Sequence, residues 1–325
     1  MSAFVISLDF ELFWGVHDAR GSEYHQCIKY VHQVVPELLK VFKEYDVKVT
    51  WATVGFIGID SFQEFRDVSE EIKFPSYTDI NYSPFGKSFL KEQNESLVFA
   101  PQLIQQIVDC GHELGSHTMS HYYVLENGQC KAEFDSDCRS IAKLFLRKFG
   151  VIPKSIVFPR NQVNGSYLNI LESNQIKCFR GTPSHWAYKT ESRKQRSTLK
   201  RIYRLLDSYL PITINFGCRV SKVSENLINV PATIFFRPYS KALSFLESFK
   251  LWRIKFAMTR AALKGELFHL WWHPHNFSNN TEENIKNLEK ILSHYKMLSD
   301  KYNWKNCTML EATSFVSNET ESHNS

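Results

Sequence analysis

The chain has 325 residues, 43% hydrophobic and 22% charged, the balance of a globular protein with material for a sizeable core. A formal charge of +5 is a mild excess, so no nucleic-acid partner is expected unless the charge is concentrated. Seven cysteines form no C-x-x-C pair and are odd in number, which argues against a thiolate zinc site and a disulfide framework. The opening MSAFVISLDFELFWG lacks a basic region and a small-residue cleavage site, and no run of 18 apolar residues exists. The expectation is no export signal, no membrane span and a cytoplasmic location.

In chain order, Phe4 to Leu8 is an apolar run that reads as a buried strand ending at Asp9. Residues 27–45 carry Val31, Val34, Val35, Leu38, Leu39 and Phe42 at helical spacing. Residues 47–54 are β-branched and aromatic and predict a second strand. Strand–helix–strand points to an α/β fold. Residues 60–96 break the rhythm with Pro75, Pro84, Asn81 and Asn94, reading as an insertion or a long active-site loop. A helix over 103–110 stops at Gly111. Strands are predicted over 113–117, 155–158, 177–179, 230–236, 267–272 and 307–310. Helices are predicted over 134–149, 167–173, 193–210, 241–264 and 282–302. The polar tail 317–325 (SNETESHNS) reads as frayed. No repeat or domain boundary is evident, so residues 1–316 read as one domain. The positive charge concentrates in residues 193–204 (RKQRSTLKRIYR) and 241–264. Such runs are commonly solvated helix faces, and contact with an anionic substrate or lipid surface is the other reading.

Four groups fall at or just after the carboxyl ends of predicted strands, the edge where parallel α/β proteins place active sites. Asp9 and Glu11, two apart on an extended chain, point the same way and suit a general base or metal ligands. His117 and His121, four apart in H-T-M-S-H, can bind one metal from a helical turn or compact loop. Arg160, in FPRNQ, can hold a carboxylate with a two-pronged hydrogen bond. His273, in LWWHPH, is placed to be a general acid, with His269 and His275 close by. Each group alone has a bland structural reading. In order at successive strand ends they form the inventory of a one-metal hydrolase, with zinc the ion suited to imidazole and carboxylate donors.

This order resembles the polysaccharide deacetylase (NodB-homology) family over roughly residues 3–312. SLDFE resembles its first motif, GHELGSHTMSH its His motif, and LWWHP its late leucine–histidine motif. The resemblance implies a distorted (β/α) barrel of about seven strands. It implies a divalent ion, zinc first, on Glu11, His117 and His121, with Asp9 as base, Arg160 orienting it and His273 as acid. Trp186, Trp272 and Arg237 (FRPYS) are the implied substrate contacts. Phe10 separates carboxylates that are adjacent in the common form, which leaves the roles of Asp9 and Glu11 exchangeable. The DFELFWG, FPRNQ and FRPYS segments resemble members tied to surface-polysaccharide or O-antigen biosynthesis. The implied reaction is metal-dependent N-deacylation (deacetylation or deformylation) of an amino sugar, nucleotide- or lipid-linked, with peripheral membrane contact left open. The rival readings are a cyclic-amide hydrolase of the allantoinase-like branch and a non-catalytic carbohydrate-binding relic.

Overall fold

The computed structural model describes residues 3–92, 94–192, 197–213 and 217–316. The tail 317–325 and the first four residues of the basic run at 193 lie outside the described residues.

Among the described residues, ten strands make one sheet. They are β1 (Ala3–Phe10), β2 (Thr50–Thr53), β3 (Glu113–Ser116), β4 (Ser155–Ile156) and β5 (Cys178–Phe179), then β6 (Ser221–Lys222), β7 (Ile228–Asn229), β8 (Ile234–Phe235), β9 (Phe268–Trp272) and β10 (Lys305–Cys307). The order is β6-β7-β5-β4-β3-β2-β1-β9-β8, with β10 on β1. Among the described strand pairs β6–β7 is antiparallel and the rest are parallel. Helical crossovers separate the leading strands: α1 (His25–Glu44), α2 (Phe62–Glu70), α3 (Ser88–Lys91), α4 (Pro101–Asp109), α5 (Lys131–Phe149) and α6 (Leu168–Ser173). They are followed by α7 (Thr198–Asp207), α8 (Glu247–Lys264), α9 (Thr281–Tyr302) and α10 (Met309–Ala312). Parallel pairing demands such crossovers, and it gathers every strand's carboxyl end on one edge.

The sheet curls. Ile228 and Val230 donate backbone hydrogen bonds to Lys177 and Phe179 beside β5, whereas Thr233 and Phe236 donate to His269 and Trp271 of β9. The expectation of about seven strands is therefore corrected to ten. Three of the extra pieces arise because β7 and β8 are successive parts of one extended stretch, β6 adds a hairpin to β7, and β10 pairs only with the amino-terminal end of β1. The last expected strand also shifts: pairing ends at Cys307, and Thr308 caps α10 through a box with Glu311. The stretch at 60–96, expected as an insertion or a long active-site loop, holds α2 and α3.

Strand alternation sorts the core. Phe4, Ile6, Leu8 and Phe10 of β1 pack with α1 and α9 residues such as Val35 and Leu292 in the larger apolar cluster. Ala3 and Val5 face the concave side with Ala52, Val157, Cys178 and Val230. Small side chains fill that interior, and the next residues up the same face of β1 are Ser7 and Asp9, both buried.

Candidate metal centre and active site

Beyond β1 the backbone turns at Glu11, and its carboxylate folds against Gly15. A Cβ built on Gly15 would lie 2.0 Å from the Glu11 carboxyl carbon, so only glycine leaves that seat free. On the far side, β3 ends at Ser116 and the chain enters a tight loop in which Thr118 (φ 64°) and His121 (φ 59°) are left-handed. Non-glycine residues there are strained, and such strain persists only where surrounding structure imposes it. The supports are visible. Gly55 donates to the Thr118 carbonyl at 2.9 Å, and Thr118 Oγ1 accepts from Tyr122 N at 2.7 Å. Asp137 accepts from Met119 N, Ser120 N and Ser120 Oγ at 2.5, 3.0 and 2.6 Å. A Cβ on Gly55 would strike Met119 Sδ at 2.3 Å. Burial lifts the Asp137 carboxyl to about 6 against the pull of these donors.

The loop aims both imidazoles at Glu11. Nε2 of His117 and of His121 lie 3.4 and 3.2 Å from Glu11 Oε2, and one donor atom from each of the three residues falls within a 4.8 Å span. All three are buried. His117 Nδ1 sits 2.8 Å from the Val157 carbonyl, which can only accept, so Nδ1 carries the proton and Nε2 offers a lone pair. That Nε2 is buried without a hydrogen-bond partner. A buried orphan acceptor facing a carboxylate and a second imidazole fits a divalent cation. Burial pulls the His121 pKa down, Glu11 opposing it. Glu11 itself is held well below the usual carboxylate range: burial raises it, but His273 and the two imidazoles beside it prevail.

Asp9 stands apart from this cluster and meets Arg180, just past β5. Arg180 Nη1 and Nη2 donate to Asp9 Oδ1 and Oδ2, both at 2.7 Å. The guanidinium, fully buried, also donates to Ser7 Oγ (2.9 Å) and Asn161 Oδ1 (2.8 Å) and stacks over Trp271 at 4.3 Å. Burial raises the Asp9 carboxyl, yet Arg180, His117 and His273 together hold it below its ordinary 3.8. This corrects the expectation for Arg160. That residue adopts φ 56°, which turns its side chain to Asp18 and over the Tyr123 ring at 4.2 Å. The two carboxylates are thus sorted: Glu11 with the imidazoles, Asp9 with the guanidinium.

His273 Nε2 lies 3.6 Å from Asp9 Oδ2 and 3.8 Å from Glu11 Oε1. Its side chain is partly exposed, at 23%. Its neighbours are held in the neutral form near pH 7. Burial, with the charge of His273, pushes His275 down to about 3. Burial and Arg180 do the same to His269, whose Nε2 bonds Ser7 Oγ at 2.8 Å.

A cavity of about 250 Å³ opens beside His273, with Arg237, Asn161 and Trp271 among its walls. Of the expected substrate contacts, only Arg237 reaches it. Trp272 is fully buried against Phe236 and Phe277, because alternation along β9 sends it outward and Trp271 inward. Trp186 is exposed and packs on Tyr203, ring centres 5.3 Å apart, away from the cavity walls. Sequence reasoning missed Arg180, Trp271, Gly15 and Asp137. Arg180 had a usable signal, an arginine directly after the predicted strand at 177–179.

Gly15→Ala is expected to weaken metal binding about 10- to 100-fold, the range for residues that seat a ligand, because Glu11 must leave its seat. Competition with a chelating indicator measures it, and an unchanged affinity would show that Glu11 does not depend on that space.

A family model described as polysaccharide deacetylase matches residues 23–179, a span that holds His117, His121 and Arg160 but none of Asp9, Glu11, Arg180 or His273. No curated protein matches the chain. Among solved structures, a Mycobacterium smegmatis protein provisionally named a polysaccharide deacetylase shares 11% identity at TM-score 0.61, covering 97% of this chain and 90% of that one. The PuuE allantoinase shares 10% at TM-score 0.57, covering 97% and 89%. A Pseudomonas aeruginosa PAO1 protein, also named provisionally as a polysaccharide deacetylase, shares 11% at 0.56, with the same coverage. Likeness at these identities shows the fold. The family model thus matches a little under half of the chain, and the rest of the likeness is one of fold.

Proposed function

We propose that this chain, as a polysaccharide deacetylase relative, is a metal-dependent N-deacylase that hydrolyses the amide of an amino sugar in surface-polysaccharide biosynthesis. One observation carries the reading: the Glu11, His117 and His121 donors lie beside a separately ion-paired Asp9 and a partly exposed His273. Two imidazoles and one carboxylate suit zinc with a position left open, and such an ion polarises the acyl carbonyl and makes water more acidic. Asp9, kept ionised by Arg180, takes the proton of the attacking water. The bidentate grip fixes the direction in which the carboxylate points. His273 gives a proton to the departing sugar nitrogen. Arg237 contributes to substrate binding from the cavity wall. We place the protein in the cytoplasm; among the described residues no helix is long and apolar enough to cross a membrane.

The reading is tested by metal analysis of the purified protein and by mass spectrometry of acyl loss from N-acetyl and N-formyl amino sugars, with allantoin in the same panel. Metal-dependent acyl loss supports it. Turnover of allantoin alone would replace it with cyclic-amide hydrolysis. Stoichiometric failure to bind zinc, cobalt or manganese would leave a relic. His273→Ala is expected to cost about 10²- to 10⁴-fold in turnover and to abolish the alkaline limb of the pH–rate profile. A wild-type rate and profile would take the acid role away from His273.

A further inference from the structure

Helices α7 and α8 leave a pattern that folding does not explain. Leu199, Ile202 and Leu206 of α7 recur at i, i+3 and i+7 and are all exposed. Phe249, Trp252 and Leu263 of α8 recur at i, i+3 and i+14 and are exposed as well, Trp252 at 52%. Each set is one face of its helix. Large apolar side chains in stripes of this kind mark a contact surface.

The charge around the stripes has one sign. Arg201, Lys255, Arg260 and Lys264 make no ion pair among the described residues. The acids of the two helices are already taken: Asp207 by Arg253 and Glu247 by Lys250, both at 2.7 Å. A basic helix with an aromatic face suits an anionic lipid surface.

The same two helices wall the active-site cavity. Arg204 and Ser208 from α7 and its end, Arg253 from α8, and Arg237 line it together with His273. No Asp or Glu is among the lining residues. Arg204 and Arg237 form no carboxylate ion pair among the described residues, Glu191 near Arg204 being bonded to Lys200, and Arg253 Nε is buried without a hydrogen-bond acceptor. Burial lowers the pKa of both Arg204 and Arg237. Planar guanidinium groups are suited to phosphate. The Arg253–Asp207 bond joins the helices at this cavity, and its chain neighbours Trp252 and Leu206 are exposed stripe residues.

We propose that the substrate is an amino sugar carried on a lipid phosphate. The phosphate sits among Arg204, Arg237 and Arg253, and the α7 and α8 stripes rest in an anionic bilayer surface. The sugar end rests on the deacylase reading; the lipid and phosphate end rests on the helices and the cavity.

The full chain is sedimented with phosphatidylcholine vesicles with and without about 30% phosphatidylglycerol, at low and high salt. The expected result is vesicle binding that depends on the anionic lipid and falls with salt. Phe249→Ser with Trp252→Ser should reduce it about tenfold or more while the melting temperature holds, since exposed positions seldom affect stability. Calorimetry then compares farnesyl phosphate, farnesol, inorganic phosphate and uridine diphosphate. Farnesyl phosphate should bind at least about tenfold tighter than the others, and Arg204→Gln with Arg237→Gln should erase its advantage over farnesol. No binding to anionic vesicles, or a double-serine variant that binds like wild type, overturns the lipid surface. A concentration-dependent dimer lost in that variant, without vesicle binding, assigns the stripes to self-association instead. Tighter binding of uridine diphosphate overturns the lipid carrier. Acyl loss from an N-acetyl amino sugar, free and joined to farnesyl phosphate, is measured alongside: loss from the free sugar with failed lipid arms sinks this inference alone, and loss from neither form with successful lipid arms sinks the deacylase reading.

Discussion

Arg180→Met is expected to destabilise the metal-free protein by about 3–5 kcal/mol, the range for stranding one partner of a buried ion pair. Both partners are buried and joined by two hydrogen bonds of 2.7 Å. In the native chain the depressed Asp9 pKa adds stability that is present above the unfolded carboxyl pKa and is lost as pH falls through the folded value. Removing Arg180 leaves burial as the largest influence, so the Asp9 pKa rises above its unfolded value. The sign then reverses: the variant loses stability as pH rises through the unfolded pKa. Urea unfolding at about pH 4.5 and pH 8 should therefore show the larger deficit at pH 8. Equal deficits at both would mean that Asp9 stays ionised without its partner. Turnover should fall as well, because the base loses both its charge and its direction.

His117→Ala and His121→Ala should each leave the purified protein without stoichiometric metal. Turnover should fall by roughly 10³-fold or more, since a Lewis acid contributes several kcal/mol to such a reaction. Two of the three donors in the cluster are these imidazoles. The fold itself should persist, because the surrounding apolar clusters do not include the site. Metal analysis and far-ultraviolet circular dichroism check both halves. Full occupancy in both variants would move the ion elsewhere.

The strand-end logic carried most of the site. Asp9, Glu11, His117, His121 and His273 converge because parallel strands share a carboxyl edge, and short-range patterns announce strands well. Arg160 and Arg180 both follow short strands, and the sequence does not separate them. The distinction lies in φ: Arg160 is left-handed and swings away, a property no periodicity encodes. Trp271 and Trp272 differ by parity alone. Counting back by twos from His273 reaches Trp271 and His269, so alternation could have chosen the inward tryptophan. The strand count failed for another reason. Two-residue pieces such as β6 and β8 carry too few side chains to leave a pattern. Gly15 and Asp137 support residues that do the chemistry, and their role emerges only once the loops they hold are placed in space.

β1 bears both carboxylates, and its neighbours are β2, β9 and β10. Two of these come from the last sixty residues of the chain, with Ala3 opposite Lys305. During synthesis the first strand leaves the ribosome about a quarter of a minute or more before its final partners, at ordinary elongation rates. Its apolar face, Phe4 to Phe10, waits exposed through that interval. The sheet around the centre therefore closes only once residues near 305 have emerged, and a chain truncated before Trp304 would lack a strand beside its own catalytic one. Slow, long-range closure of this kind makes early release of the nascent chain a hazard of aggregation, and co-expressed chaperones the natural remedy.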